Sequence, residues 1–255
     1  MKVISVVNRK GGVGKTTTVL ELGFSMHKRG KKVLLLDLDS QGNVARYFVP
    51  NVADYDRKGK CITSVFKGLA QLRDVVIRQE NAPDFVVSYN SLDTIGVTGD
   101  VLHRALESVR GSYDICILDT PPSGAGPIIS ALANSDYYIV PTELSDYSLA
   151  GMYQLFEWVA AVKQQNPDLE CLGVLPTRYT LRATLADGMR LKELHKFASK
   201  YGVRVFQPIR DTVAFKHMLG KSVSIADVYP DNAGASGYRY LDTLVHMGLG
   251  GSVDV

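Results

Sequence analysis

The segment "NRKGGVGKTT", residues 8 to 17, follows the apolar run Val3 to Val7 and precedes a helical pattern. A glycine-rich turn between a buried strand and a helix marks a loop that wraps phosphate, with four residues between a first glycine and Gly-Lys-Ser/Thr. Counting back from Gly14-Lys15-Thr16 puts Arg9 where that first glycine belongs, with a second lysine, Lys10, beside it. Gly11, Gly12, Val13 and Gly14 offer backbone N–H groups at close approach, Lys15 neutralises charge, the Thr16 hydroxyl can ligate Mg²⁺, and Thr17 extends the same rim. Residue type alone also allows a glycine-rich turn capped by a threonine; the strand before and the helix after favour phosphate.

Short Val/Ile/Leu runs recur at Val3 to Val7, Val33 to Leu36, Phe85 to Ser88, Ile115 to Leu118, Tyr137 to Val140, Leu172 to Leu175 and Val203 to Phe206. Such runs suit strands buried on both faces of a parallel sheet. Helical spacing covers Thr16 to Lys28, Val101 to Val109, Leu149 to Gln165 and Leu185 to Lys200, with Gly30, Gly111 and Gly202 as stop signals. The pattern predicts a doubly wound α/β fold, a mostly parallel sheet flanked by helices, with ligands at the carboxyl ends of the strands. Residues 48–61, with Pro50, Gly59 and mixed charge, read as a surface excursion. The 255 residues are expected to form one domain.

Two further segments place carboxylates where apolar strands end. "VLLLDLDSQGN", residues 33 to 43, ends in Asp37 and Asp39; either can position Mg²⁺ or orient an attacking water, or both can cap the next helix. "YDICILDTPPS", residues 113 to 123, ends in Asp119, where nucleoside triphosphatases hold the Mg²⁺ shell, or where a plain turn precedes Pro121-Pro122.

"RKGGVGKTT", "LLLDLDSQGN" and "ILDTPPS", in that order, resemble the ParA/MinD family of deviant Walker A ATPases, which move and position plasmids and chromosomes. "LHRALESVRGSYDICILDTPPS" and the segment from Pro208 to Leu241 extend the resemblance over most of the chain, and "DSQGN" is similar to the ParA version of its segment. The resemblance implies a P-loop ATPase using ATP and Mg²⁺, in which Lys10 reaches the phosphates bound by a partner subunit. ATP is then sandwiched in a homodimer. It further implies Lys10, Lys15 and Asp39 as catalytic, Thr16, Asp39 and Asp119 at the metal, and Asp37 as a supporting carboxylate. Adenine contacts fall on Pro208, Ile209 and Arg210. Departures from the family pattern are Arg9, Ser40, Thr120 and Thr180; none removes a catalytic group.

Residues 178 to 221 hold ten Lys/Arg against three acids, a balance of +7, so the other 211 residues sum to −4 in a chain of net charge +3. On charge alone that excess could be a solvated helix face. The resemblance implies instead a grip on non-specific double-stranded DNA through Arg178, Arg182, Arg190, Lys192, Lys196, Arg210 and Lys216, as a phosphate backbone demands. It also implies a ParB-like or other cargo-bound protein that stimulates weak hydrolysis, and a cytoplasmic, nucleoid-associated location.

No helix-turn-helix pattern precedes the loop, so no operator reading is expected. No apolar stretch approaches a membrane span, and the C-terminal segment lacks a basic amphipathic helix, so no stable membrane association is expected. This weakens a MinD-like membrane-cycling alternative; a relative positioning a non-DNA cargo stays open. Cys61, Cys116 and Cys171 are an odd set without metal-type spacing, which fits a reducing compartment and argues against the cluster cysteines of an electron-transfer ATPase. The five histidines are scattered without ligand spacing.

Overall fold

Alternation along each strand sets the layering. In the computed structural model, which describes residues 1–122, 124–180, 185–218 and 222–250, Ile4, Val6, Leu35 and Ile117 face one apolar cluster, while Val3, Leu34, Leu36 and Cys116 face another. Both faces of the sheet are therefore covered by helices, as strands of continuous apolar sequence require.

The chain runs β1 (Lys2–Val6), α1 (Lys15–Lys28), β2 (Val33–Asp37), α2 (Asn43–Phe48), α3 (Val52–Arg57), α4 (Ile62–Phe66), α5 (Leu72–Val75), β3 (Val76–Ile77) and β4 (Asp84–Val86). It continues through α6 (Gly99–Glu107), β5 (Ile115–Asp119), α7 (Ala125–Ala133), β6 (Tyr137–Glu143), α8 (Asp146–Val162), β7 (Glu170–Thr177), α9 (Leu185–Tyr201), α10 (Ile225–Val228) and α11 (Ala233–Gly248). Short 3₁₀ turns cover Asn90–Thr94 and Val213–Met218. The seven strands lie in the order β3-β4-β2-β5-β1-β6-β7, all neighbours parallel except the antiparallel pair β3 and β4.

β1 and β5 sit side by side, with Val6 opposite Asp119, and β2 brings Asp37 opposite the same Asp119. The phosphate-loop sequence and both aspartate-bearing strand ends thus emerge at one edge, the ligand edge of a doubly wound sheet. α1 and α11 cover one face, while α7, α8 and α9 pack against β6 and β7 on the other through Leu132, Phe156 and Phe197. α1 lies close on β2 because Gly23 faces it: a Cβ there would meet Leu35 Cδ2 at 2.7 Å.

Three expectations need correction, and one strand was not expected. Residues 48–61 are not a plain surface excursion: the end of α2 and the whole of α3 occupy half of them, and Phe48, Val52 and Cys61 are buried in the core. The apolar character of Phe48 and Val52 outweighs the turn chemistry of Pro50 and Gly59. The run Val203 to Phe206 makes only an isolated bridge, Val205 with Val174, although Val174 N–H donates to the Arg204 carbonyl and Phe206 N–H to that of Val174. Gly30 and Gly202 adopt the left-handed stop conformation, at φ 77° and 64°, but Gly111 does not. The antiparallel β3, two residues long, comes from the short apolar stretch Val75 to Ile77, which is not among the strand runs read from the sequence.

Gly42 holds the turn after β2. Its φ is 63°, and a Cβ on it would lie 2.3 Å from the Ser88 carbonyl oxygen, a backbone atom that cannot rotate away. Gly42→Ala is expected to cost at least about 2 kcal/mol, measured as a lower urea midpoint at unchanged slope.

Candidate functional site

Asn8 begins the loop. Its amide donates to the Pro141 carbonyl (2.6 Å) and accepts from the Lys10 N–H (2.9 Å), which pins residues 8–10 to the end of β6. Arg9, which replaces the expected glycine, directs its guanidinium over the Trp158 ring, 4.9 Å from the centroid, on α8. Gly12 and Gly14 take left-handed φ values of 76° and 84°, and Gly14 is the residue from which α1 starts. The Val13 side chain is buried, and its carbonyl accepts from the Thr177 hydroxyl (2.9 Å).

Gly11, Gly12, Gly14, Lys15, Thr16 and Thr17 line a cavity of about 670 Å³ together with Asp39. Its walls beyond the loop include Leu20, Glu21, Tyr47, Pro50 and Phe215. Pro208, Ile209 and Arg210 are not among them. Ile209 is buried in the core, where it packs against Gly237, and its N–H and carbonyl are engaged with Pro176 and Tyr179. The wall along α1 was legible in principle, because Thr16, Thr17, Leu20 and Glu21 recur at helical spacing; Tyr47 and Phe215 come from distant segments that no local pattern links to the loop.

The two aspartates after β2 do different things. Asp37 is fully buried and accepts N–H groups from Asp39 (2.8 Å) and Val44 (3.0 Å), so it caps the start of α2. Burial, reinforced by Asp119, pushes its carboxyl well above the ordinary range. Among the described residues Asp39 accepts only from the Gln41 N–H (3.0 Å), and it reaches the cavity.

Asp119, at the end of β5, accepts the Thr16 hydroxyl at Oδ2 (2.5 Å), while its buried Oδ1 has no hydrogen-bond partner among the described residues. Burial raises its carboxyl to about 7 against the pull of Thr16 and Lys15. The Lys15 ammonium is depressed by burial and supported by Asp119 and Asp39. An unsatisfied buried carboxylate oxygen beside a threonine hydroxyl suits the water shell of a hard divalent cation. Among the described residues no group of three or more His, Cys, Asp and Glu side chains forms a metal cage of its own.

Lys10 does not point into this cavity. Its ammonium donates to Glu143 Oε2 (2.6 Å) and the Ser145 hydroxyl (3.2 Å), and its carbonyl accepts from Lys15 Nζ (3.1 Å). Arg178, expected on a DNA surface, lies instead beside Gly12 and donates to Glu143 Oε1 (2.8 Å). Of the other basic candidates, Lys192 and Lys196 are exposed on α9, Arg190 is half-buried against Asp187, and Arg210 is exposed. Arg182 and the Lys216 side chain lie outside the described residues.

A family model described as an AAA domain matches residues 1–171. The sporulation initiation inhibitor protein Soj of Bacillus subtilis is 33% identical over 249 residues, 93% of this chain and 95% of Soj. The chromosome partitioning protein ParA of Caulobacter vibrioides is 30% identical over 241 residues, 89% of this chain and 88% of that one. This chain belongs to the ParA/MinD family of ATPases. Among solved structures, cobyrinic acid a,c-diamide synthase of Mycobacterium smegmatis with an ATP analogue and magnesium superposes at TM-score 0.82 with 28% identity, covering 98% of this chain and 96% of that one. MinD of Pyrococcus horikoshii with Mg-ADP, 21% identical and covering 98% and 97%, shares the fold at TM-score 0.75. In this ParA/MinD-family chain the loop, the two strand-end aspartates and Lys10 stand on the elements just described.

Glu21 ties the cavity wall to the C-terminal segment. Its carboxylate accepts the Ser224 hydroxyl (3.0 Å) and the Ile225 N–H (3.0 Å) at the start of α10. Burial raises its carboxyl from 4.5 to about 7, against those two hydrogen bonds. The unfolded chain loses this proton first, so Glu21 costs increasing stability as pH climbs from 4.5 to 7. Unfolding titrations at several pH values are expected to show Glu21→Gln gaining on the wild type by about 3 kcal/mol across that window, and level above it.

Proposed function

We propose that the chain is a Mg²⁺-dependent partition ATPase. ATP binding draws two protomers into a sandwich dimer, the dimer holds double-stranded DNA without reading its sequence, and a ParB-like or other cargo-bound protein stimulates weak hydrolysis that releases it. The cycle takes place in the cytoplasm, on the nucleoid. The observation that carries this reading is the pair of lysines on one loop: Lys15 beside the buried Asp119 and the cavity, Lys10 on the outer side with its ammonium outside that cavity.

The loop N–H groups and Lys15 bind the β- and γ-phosphates, and the left-handed Gly12 and Gly14 let the backbone close on them. Thr16 and Asp119 would hold Mg²⁺, which when bound would supply charge neutralisation on the phosphate oxygens. Asp39, buried yet facing the cavity and little engaged by hydrogen bonds, orients the hydrolytic water. Lys10 completes the partner's site, where a cation in a dry, shared pocket offsets charge that develops as the γ-phosphoryl leaves. An isologous interface gives each protomer the other's lysine, so two sites form together.

DNA binding rests on α9. Lys192, Lys196 and Lys200 are exposed at four-residue spacing, so they form a row along one side of the helix with a rise of about 6 Å between neighbours. A row of exposed cations along one helix face suits a phosphate backbone, which is bound through charge rather than through base edges. The Lys200 ammonium also lies 5.2 Å from the centroid of the Tyr153 ring, which limits where it can swing. None of the described helices is long and apolar enough to cross a membrane.

The decisive experiment compares ATP with ADP for Asp39→Ala protein on random duplex DNA across a salt series. Hydrolysis is expected to fall about a hundredfold or more while ATP-only DNA binding persists and weakens steeply with salt. Equal binding in both nucleotides, or none, would sink the partition reading. Replacing Lys192, Lys196 and Lys200 together by alanine is expected to flatten the slope of log K against log salt by about three while leaving hydrolysis in the absence of DNA unchanged.

A further inference from the structure

Lys10 and Arg178 share one carboxylate. Glu143 ends β6, its side chain only 21% exposed, and gives one oxygen to each cation: Oε2 to Lys10 at 2.6 Å and Oε1 to Arg178 at 2.8 Å. Burial alone would raise the Glu143 carboxyl, but the hydrogen bonds from the two cations outweigh it and hold it below the ordinary range. Arg178 Nε lies 4.0 Å from Asp211, so the guanidinium stands between two acids.

The backbone supports this arrangement at a cost. Arg178 has φ 55°, one of two non-glycine residues in the left-handed region among those described. That conformation is disfavoured for a side chain of this kind. It sets the guanidinium against the phosphate loop, with Nη1 4.0 Å from where a Gly12 Cβ would be. Thr177, the preceding residue, is fastened to the loop through the Val13 carbonyl. Two cations that flank a phosphate-binding turn are therefore both occupied by an acid of the same chain.

We propose that Glu143 is an internal stand-in for phosphate: it holds Lys10 and Arg178 in the nucleotide-free protomer, and both cations leave it for the triphosphate when the dimer forms. The inference rests on the cross-subunit reading of Lys10 and adds two residues to it. Glu143 is a positioning residue that sets how much ATP is needed to assemble the dimer. Arg178 is a second cation directed at phosphate rather than at DNA. A single carboxylate carries one negative charge and the triphosphate carries several, so the exchange runs toward nucleotide once ATP is present. Without ATP the carboxylate keeps the two cations from repelling each other and from capturing other anions.

The test measures the ATP concentration that gives half-maximal dimer, by sedimentation velocity in an Asp39→Ala background. Glu143→Gln, which keeps the shape and removes the charge, is expected to lower that concentration about fivefold, the loss of a half-exposed ion-pair arrangement. Arg178→Gln is expected to raise it, and to leave the affinity for random DNA of the assembled dimer unchanged. A merely structural Glu143 would shift the thermal midpoint without lowering the ATP requirement, and that result, or an increased requirement, overturns the proposal. If Glu143→Gln does not fold, Arg178→Gln decides alone: an unchanged or lowered ATP requirement overturns it. Lys10→Ala separates the two levels, because normal ATP-driven dimers in that variant reject the cross-subunit reading itself. Loss of dimers with Lys10→Ala and no change with Glu143→Gln rejects only the stand-in.

Discussion

Charge confined at the carboxyl edge of β1, β2 and β5 is the constraint on which the rest of the molecule depends. Asp37, Asp119 and Lys15 are all buried there, with Asp39 at the rim. Three carboxylates against one ammonium is an unbalanced set, and burial drives Asp37 and Asp119 toward their neutral forms. A fold tolerates that expense only if a ligand repays it, and a cation accompanied by phosphates does so with both signs. The parallel sheet makes the concentration possible, because register brings Asp37 and Asp119 opposite each other and sets the loop after β1 alongside.

Much of this was legible from residue order. Strands buried on both faces are written as unbroken Val/Ile/Leu runs, and a glycine-rich turn has few uses directly after one. Residue type alone does not separate Asp37 from Asp39, since a carboxylate that caps α2 and one that faces a cavity look alike in sequence; the family resemblance distinguishes them, and their hydrogen bonds give the physical reason. The core position of Ile209 and the aromatic wall of Tyr47 and Phe215 depend on how the C-terminal segment crosses α1, a long-range matter that no local period encodes. Charge density alone groups Arg178 with the basic stretch, because it ignores backbone direction. Its left-handed φ turns it out of that group and toward the loop.

Relatives that share this fold include proteins of quite different names, from a chromosome partitioning protein to a diamide synthase. A common scaffold therefore carries the phosphate chemistry, and the surfaces around it decide what the nucleotide is used for. In this chain the surfaces around that scaffold include the exposed lysines of α9 and the Glu143 cluster, one on the outer helical layer and one beside the loop.

The two margins of the sheet have a consequence for self-assembly. On one side β3 is two residues long and antiparallel; on the other, residues 203–211 lie against β7, with the N–H groups of Val174, Phe206, Ile209 and Tyr179 all engaged between them. Among the described residues, neither margin ends in a long regular strand of the kind that recruits another strand. Copies of this protein that associate must therefore meet through loops and helical faces, where contacts are made by side chains and can be undone by a change of charge. A polymer built by strand addition would have no such release, whereas assembly through side chains leaves the chain free to join and part repeatedly.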